Sequence, residues 1–202
     1  GMLFETDLQL RPSGASGLLV SPVAGFERYQ EENAWVWEHQ ALTRARYCAG
    51  DKAVGAAFEA IRRKVLEKKR DPGALKGEIL AMREKLHAAH PNRSGLFDVK
   101  HDRGGMIDIE FAVQFLVLGF SATYSDLTGN LGNIALLQMS ADRGLIPPPL
   151  ARRCRNGYRE YRRIQHALRL NGAQYARVPK DQVAAHTAAV LELWKALFSA
   201  AD

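Results

Sequence analysis

A carboxylate, a guanidinium and a glycine-rich turn follow one another at the start of the chain. Asp7 lies on the polar face of an alternating segment, residues 3–11, which ends at Arg11 and leads into a turn at residues 12–17. Mg²⁺ takes oxygen ligands, and glycines let backbone N–H groups approach a phosphate closely. The pattern therefore suits a magnesium and triphosphate site in which Asp7 binds the metal. The alternative is an edge strand with solvated charges, because a single carboxylate does not hold a pair of metal ions.

A second acidic motif follows a pair of glycines in the middle of the chain. Asp108 and Glu110 come after Gly104 and Gly105, an order that resembles the carboxylate pair of nucleotidyl-transfer enzymes. A shared metal ion needs both carboxylates on one face, as in a strand. The residues that follow are strongly helical, and side chains two positions apart on a helix point roughly 200° apart. The preferred interpretation is a glycine turn and then acidic residues near the positive end of a helix dipole.

Arginine is concentrated in one helical segment near the carboxyl end. Residues 150–170 combine an apolar stripe with seven arginines: Arg152, Arg153, Arg155, Arg159, Arg162, Arg163 and Arg169. Such a face could dock on an anionic surface. The alternative is an ordinary solvated face, since basic helices are common.

Helical periodicity dominates the chain after residue 20. Residues 3–11 alternate as in a half-buried strand, and residues 18–20 could form a short returning strand. Helices are expected at 22–50 with a break near Asn33, from 51 to about 71, and at 74–89, 106–124, 133–143, 148–170 and 180–200, with a short extended piece at 97–100. Segment 106–124 is apolar nearly all round, which predicts a central buried helix, and Trp37 is expected in the core. The fold class is mainly α, a helical bundle preceded by a short β fragment, with a domain boundary between residues 1–20 and 21–202.

Composition narrows the class of protein further. The 202 residues carry a formal charge of +6, which favours anionic partners without choosing among nucleic acid, nucleotide phosphates and an acidic protein face. No apolar run approaches the roughly 20 residues of a membrane span, so no membrane association is expected. Two isolated cysteines fit a reducing cytosol and a cytoplasmic location, and the scattered histidines lack the spacing of a zinc site.

Three sequence blocks together resemble one enzyme family, the adenylyltransferases that act on glutamine synthetase. Residues 7–20 read DLQLRPSGASGLLV, residues 34–46 read AWVWEHQALTRAR, and residues 97–100 and 104–111 read FDVK and GGMIDIEF. These blocks occur in the family's order with fitting separations and cover roughly half of the chain. The sequences at residues 11–14 and 35–39 resemble the second, AMP-attaching unit of that family.

The resemblance implies a fold, a reaction and a set of site residues. Residues 1–20 would be the remnant of a nucleotidyltransferase-type α/β domain, and residues 21–202 the C-terminal helical bundle that follows it. Asp7 matches the third catalytic carboxylate of the family, whose first two precede residue 1, and Arg11, Ser13 and Gly14 would neighbour the phosphates of ATP. Gln9 stands where family members often have a basic residue.

The implied reaction transfers AMP from ATP, with Mg²⁺, to a tyrosine of glutamine synthetase. The PII signal protein and glutamine would be regulators, and no nucleic acid is expected as a partner. The fragment alone would be inactive, because most of its catalytic sheet lies upstream. A non-catalytic helical module that binds PII or glutamine synthetase is the alternative. A third hypothesis is that the protein is a helical nucleic-acid binder, and only its net charge supports this.

Overall fold

The computed structural model describes residues 11–199, and helices account for most of them. The α-helices of this range are α1 (Val23–Glu32), α2 (Val36–Leu42), α3 (Lys52–Leu66), α4 (Pro72–Ala89), α5 (Met106–Phe120), α6 (Asn133–Asp142), α7 (Pro148–Leu170) and α8 (Lys180–Phe198). Two short strands, β1 (Phe97–Asp98) and β2 (Arg177–Val178), complete the set of regular elements with two short 3₁₀ turns. The mainly α fold class is confirmed. The predicted strand at residues 3–11 lies outside the described residues, apart from Arg11.

Helix α5 is the centre of the bundle. It packs against α2, α4, α6, α7 and α8, and its Ile109, Ala112, Val113 and Leu116 are almost wholly inaccessible to solvent. A helix that is apolar all round must be covered on every side, and here the neighbouring helices cover it. The predicted central buried helix is thus confirmed. Within the described range no helix is both long and apolar enough to cross a bilayer.

Two aspartates fix the starts of α3 and α4. The Asp51 carboxylate accepts hydrogen bonds from the backbone N–H groups of Ala53 and Val54, so α3 begins next to the expected start at residue 51. Asp71 caps α4 by accepting from the N–H of Ala74, with Pro72 as the first helical residue. Helix α4 therefore begins two residues before the expected start, because proline is well suited to that position.

The first long helix predicted from the sequence is interrupted once and ends early. Helix α1 ends at Glu32, next to the expected break at Asn33, but α2 ends at Leu42 and residues 43–50 are not helical. The carbonyls of Leu42 and Thr43, at this end of α2, accept hydrogen bonds from the buried guanidinium of Arg62. We call residues 43–50 the arginine loop, after Arg44 and Arg46.

Two further expectations near the start of the chain are wrong. Residues 18–20 form no strand, and their three apolar side chains are exposed. Trp37 is 39% exposed and lies outside the buried core, beside the even more exposed Trp35. Helix α2 is only seven residues long, and both tryptophans lie at its start, where residues of α4 (Glu78, Ala81, Met82 and Lys85) cover them only in part.

The two strands form a small antiparallel ribbon. Phe97 pairs with Val178 and Asp98 with Arg177. The expected extended piece at residues 97–100 is thus confirmed in part, while its partner at 177–178 has no periodic signal in the sequence. The ribbon joins the loop before α5 to the loop before α8, and so it ties together two helices of the core.

Candidate functional site

The predicted phosphate-binding residues lie together in one tight turn. Gly14 donates from its N–H to the carbonyl of Arg11 at 2.8 Å, and Ser13 and Gly14 both have left-handed backbone conformations, with φ of 64° and 54°. The Arg11 guanidinium donates to the carbonyls of Ala15 and Gly17. The structure thus brings Arg11, Ser13 and Gly14 into one unit. Asp7, the predicted metal ligand and catalytic residue, lies outside the described residues.

This turn lies against the first two helices. The backbone of Ser13 interacts with Tyr29 of α1, whose hydroxyl donates to Glu38 of α2 at 2.9 Å. Burial raises the pKa of Tyr29, Glu38 raises it further, and the Ser13 backbone opposes both. Glu38 also accepts from the N–H of Trp35, the cap of α2. The phenol and carboxylate therefore join the turn to the starting end of α2.

Three adjoining cavities run from this turn along the arginine loop. The first, about 140 Å³, lies beside Arg11 and Leu42 and shares Phe58 with the second, of about 600 Å³. The third, about 450 Å³, shares Arg46 and Cys48 with the second. Sites for small molecules typically measure about 300–1,000 Å³. The first cavity is too small for a nucleotide, whereas the second and third have a suitable size.

A buried arginine holds the walls of the third cavity in place. Arg62 is only 3% exposed, and its guanidinium donates to the carbonyls of Leu42, Thr43 and Thr128 at 2.8–3.0 Å. Leu42 and Thr43 lie where α2 passes into the arginine loop. Thr128 lies in the segment between α5 and α6, close before the start of α6. Sequence reasoning missed this role, because Arg62 falls in a helix with ordinary periodicity and a basic neighbour, Arg63.

The second acidic motif is structural. Asp108 lies in the first turn of α5, is 1% exposed, and accepts from Arg83 Nε at 2.5 Å and from the N–H of Gly104 at 2.6 Å. Glu110 accepts instead from the hydroxyl of Tyr158. The interpretation of Asp108 as an acidic residue at the start of a helix is therefore confirmed. The interpretation of Asp108 and Glu110 as a metal-binding pair is wrong, because the two carboxylates have different partners. Residues 11–199 hold no group of three side chains that could bind a metal ion.

The basic helix α7 uses several of its arginines locally. Arg153 forms an ion pair with Glu192 of α8, Arg163 pairs with Glu160, and Arg155 donates to Gln138 of α6. Its apolar stripe, including Cys154 and Tyr161, is buried in the bundle. Exposed ion pairs contribute about 0–1 kcal/mol each. These contacts favour the ordinary solvated face over a dedicated docking surface.

Asp98 is the centre of a polar cluster that sequence reasoning also missed. Its Oδ1 accepts from the N–H groups of Lys100 and His101 and lies 3.3 Å from His101 Nδ1, and its Oδ2 lies 3.5 Å from Arg177 Nε. The ring of His101 stacks on that of His90 at 4.2 Å. Burial by itself would raise the pKa of Asp98, but the hydrogen bonds from His101 and Lys100 outweigh it and lower the pKa to about 2.

We expect the free energy of unfolding of the Asp98→Asn variant to fall less than that of wild type when the pH is lowered. A carboxyl group whose pKa falls on folding stabilises the native state above its unfolded pKa and loses that contribution as the pH falls through the folded value. Asp98 should therefore contribute on the order of 2 kcal/mol at neutral pH, declining between about pH 4 and pH 2. Urea unfolding at several pH values measures this. Parallel stability curves for wild type and variant across that interval would contradict the prediction.

Comparison with known proteins assigns the chain to a class of enzymes. Residues 75–196 match the family model described as GlnD PII-uridylyltransferase, and residues 1–61 match the one described as Glutamate-ammonia ligase adenylyltransferase. Both descriptions name enzymes that transfer a nucleotidyl group. The helical bundle and the glycine-rich turn thus fall in segments that match nucleotidyltransferase families.

Individual relatives narrow this class to one family. The chain is 58% identical over 195 residues to the bifunctional glutamine synthetase adenylyltransferase/adenylyl-removing enzyme of Bordetella bronchiseptica, covering 96% of the chain and 21% of the relative. The enzymes of the same name from Aromatoleum aromaticum and Nitrosomonas europaea are 56% and 50% identical, over 100% and 98% of the chain and 21% and 23% of the relatives. The chain belongs to the glutamine synthetase adenylyltransferase family and spans about a fifth of the length of these relatives.

Proposed function

We propose that this chain is the C-terminal part of an enzyme that transfers AMP from ATP to a tyrosine of glutamine synthetase. The observation that carries the proposal is identity of 50–58% along nearly the whole chain to enzymes named for this activity. The division into residues 1–20, from a nucleotidyltransferase-type domain, and residues 21–202, the helical bundle, is part of the proposal. A cytoplasmic location accompanies it, because glutamine synthetase regulation belongs to nitrogen metabolism inside the cell.

The reaction is a displacement at phosphorus. The tyrosine oxygen forms a bond to the α-phosphorus of ATP, the bond from that phosphorus to the bridging oxygen breaks, and pyrophosphate leaves. The phenolic proton must pass to a base, and we assign this role to Asp7. Mg²⁺, when bound with Asp7 as one ligand, would neutralise charge on the phosphate oxygens.

The turn at residues 11–17 supports a role next to the phosphates. Its glycines and the left-handed conformations of Ser13 and Gly14 fit a backbone that approaches a phosphate closely. Arg11 is held by two carbonyls of the same turn, so its positive charge stays beside Ser13 and Gly14. We propose that Arg11, Ser13 and Gly14 contact the nucleotide phosphates once the upstream strands are present.

The decisive experiment is an assay of the full-length protein. Labelled AMP should pass from ATP to glutamine synthetase in a Mg²⁺-dependent reaction, and Asp7→Asn should abolish the labelling. Asp51→Asn, which changes an exposed helix cap, serves as the matched control and should label normally. No labelling by a folded wild-type protein would refute the proposal. The 202-residue chain alone should show no transfer, and measurable transfer by it would refute its assignment as an incomplete catalytic unit.

A second candidate function is binding without catalysis. The helical bundle would then contact the PII signal protein or glutamine synthetase, with glutamine as a further effector. The match of residues 75–196 to a model named for PII-uridylyltransferase supports contact between the bundle and PII. Co-sedimentation of the 202-residue chain with PII or with glutamine synthetase would test it, independently of any AMP transfer.

A further inference from the structure

We propose that the third cavity, between the arginine loop and the start of α6, is a binding site for the phosphate groups of a di- or triphosphate. The cavity measures about 450 Å³ and is lined by Arg44, Arg46, Cys48, Asn130, Leu131 and Gly132. Its lining, within the described part of the chain, contains two arginines and no acidic residue. The proposal concerns binding by this chain itself and does not depend on AMP transfer.

The first support is that the two arginines of the cavity form no ion pair with an acidic side chain of the described residues. Four of the seven arginines of α7 have a carboxylate or amide partner: Arg153, Arg155, Arg159 and Arg163. Within residues 11–199, neither Arg44 nor Arg46 forms an ion pair, although both line the same cavity. Both side chains are exposed, so solvent screens their mutual repulsion, and an anion in the cavity would be attracted to both of them. Guanidinium groups also match the oxygens of a phosphate with paired hydrogen bonds.

The second support is the structure of the opposite wall. Helix α6 begins at Asn133, and its cap, Gly132, has no side chain to accept hydrogen bonds from the free N–H groups of the first turn. These N–H groups and the helix dipole favour an anion at this end of the helix. The helix start adds to the arginine pair, and the pair is the primary determinant of the proposed site.

The third support is that the site is held in place before any ligand binds. Arg62 donates to carbonyls on both walls, those of Leu42 and Thr43 on one side and that of Thr128 on the other. Its guanidinium is buried, so water does not compete for these bonds. A ligand therefore meets a cavity whose two walls are already joined, and loses less affinity to ordering of the loops.

Titration calorimetry of the 202-residue chain with inorganic pyrophosphate tests the site directly. The double variant Arg44→Gln/Arg46→Gln should bind pyrophosphate about tenfold more weakly, or worse, than wild type. The control is Arg152→Gln/Arg162→Gln, which removes the same charge from exposed positions of α7 that do not line the cavity. Its affinity should stay within about twofold of wild type at constant ionic strength. Circular dichroism melting of each variant verifies that it is folded.

Further titrations identify the source of the phosphate. ATP that binds more tightly than pyrophosphate supports a nucleotide site, and equal affinities support a site that reads phosphates alone. Shifts of the amide resonances of residues 133–135 on addition of pyrophosphate would place the ligand at the start of α6. Absence of saturable binding to the folded wild-type chain would overturn the proposal. Equal losses in the two double variants would also overturn it, since they would indicate attraction by net charge alone.

Discussion

Replacing Arg83 with methionine is expected to lower the free energy of unfolding by about 3–5 kcal/mol, because it strands a buried carboxylate. Arg83 and Asp108 are 0% and 1% exposed, and Arg83 Nε lies 2.5 Å from Asp108 Oδ1. The same guanidinium donates to the carbonyl of His101, in the turn before α5. The change therefore removes the partner of a buried charge and a contact that holds this turn. Urea unfolding followed by circular dichroism measures the loss.

Two further variants separate the charge effect from the loss of packing. Asp108→Asn in the Arg83→Met background removes the stranded charge while keeping an acceptor for the N–H of Gly104, so part of the lost stability should return. Arg103→Met breaks a more exposed ion pair with Glu84 and should cost no more than about 1 kcal/mol. A cost for Arg83→Met as small as that of Arg103→Met would contradict the importance of the buried pair.

The second large effect is expected at Arg62. Methionine at this position fills a similar volume but leaves the carbonyls of Leu42, Thr43 and Thr128 without their buried donor. Hydrogen bonds from a charged donor are worth about 1.5–3 kcal/mol each, and loop relaxation recovers part of them. We expect a total loss of about 3 kcal/mol in the free energy of unfolding, measured by urea titration. Pyrophosphate affinity of the remaining folded protein should fall as well, since the cavity walls are no longer joined.

The adjacent residue provides the control for Arg62. Arg63 lies on the exposed side of the same helix, and Arg63→Met removes the same charge without touching the two loops. Its stability should change by no more than about 0.5 kcal/mol. Comparable destabilisation of both variants would show that charge on α3, and not the bonds across the loops, accounts for the effect at Arg62.

Local signals in the sequence determined most of the helices. Asp51, Pro148 and Gly144 each lie at a helix end that the structure confirms, because caps, prolines and glycines act through their own backbone. The carbonyl of Leu42 at the end of α2 is bonded instead by Arg62, which is 20 residues away in sequence. The pairing of β1 with β2 likewise spans about 80 residues. No periodicity within a single segment carries such information.

The candidate site shows the same division between local and distant determinants. The turn of Arg11, Ser13 and Gly14 was predicted as a unit because these residues are neighbours in sequence. The third cavity needs Arg44 and Gly132, which are far apart in sequence and line one cavity only in the folded bundle. The Asp98 cluster similarly requires Arg177 from the far end of the chain. Resemblance to a family supplied a role for Asp7, whereas the cavity became recognisable only from the three-dimensional arrangement.

The positions of the two cysteines make the chain suited to spectroscopic study without engineering. Cys154 is wholly buried in α7, and burial raises its pKa to about 12, so almost none of it is thiolate near neutral pH. Cys48 is exposed and lines both large cavities of the arginine loop. A maleimide dye or nitroxide should therefore attach at one position, in the lining of the proposed phosphate site. A label on Cys48 can therefore report ligand binding at that site without any substitution in the chain.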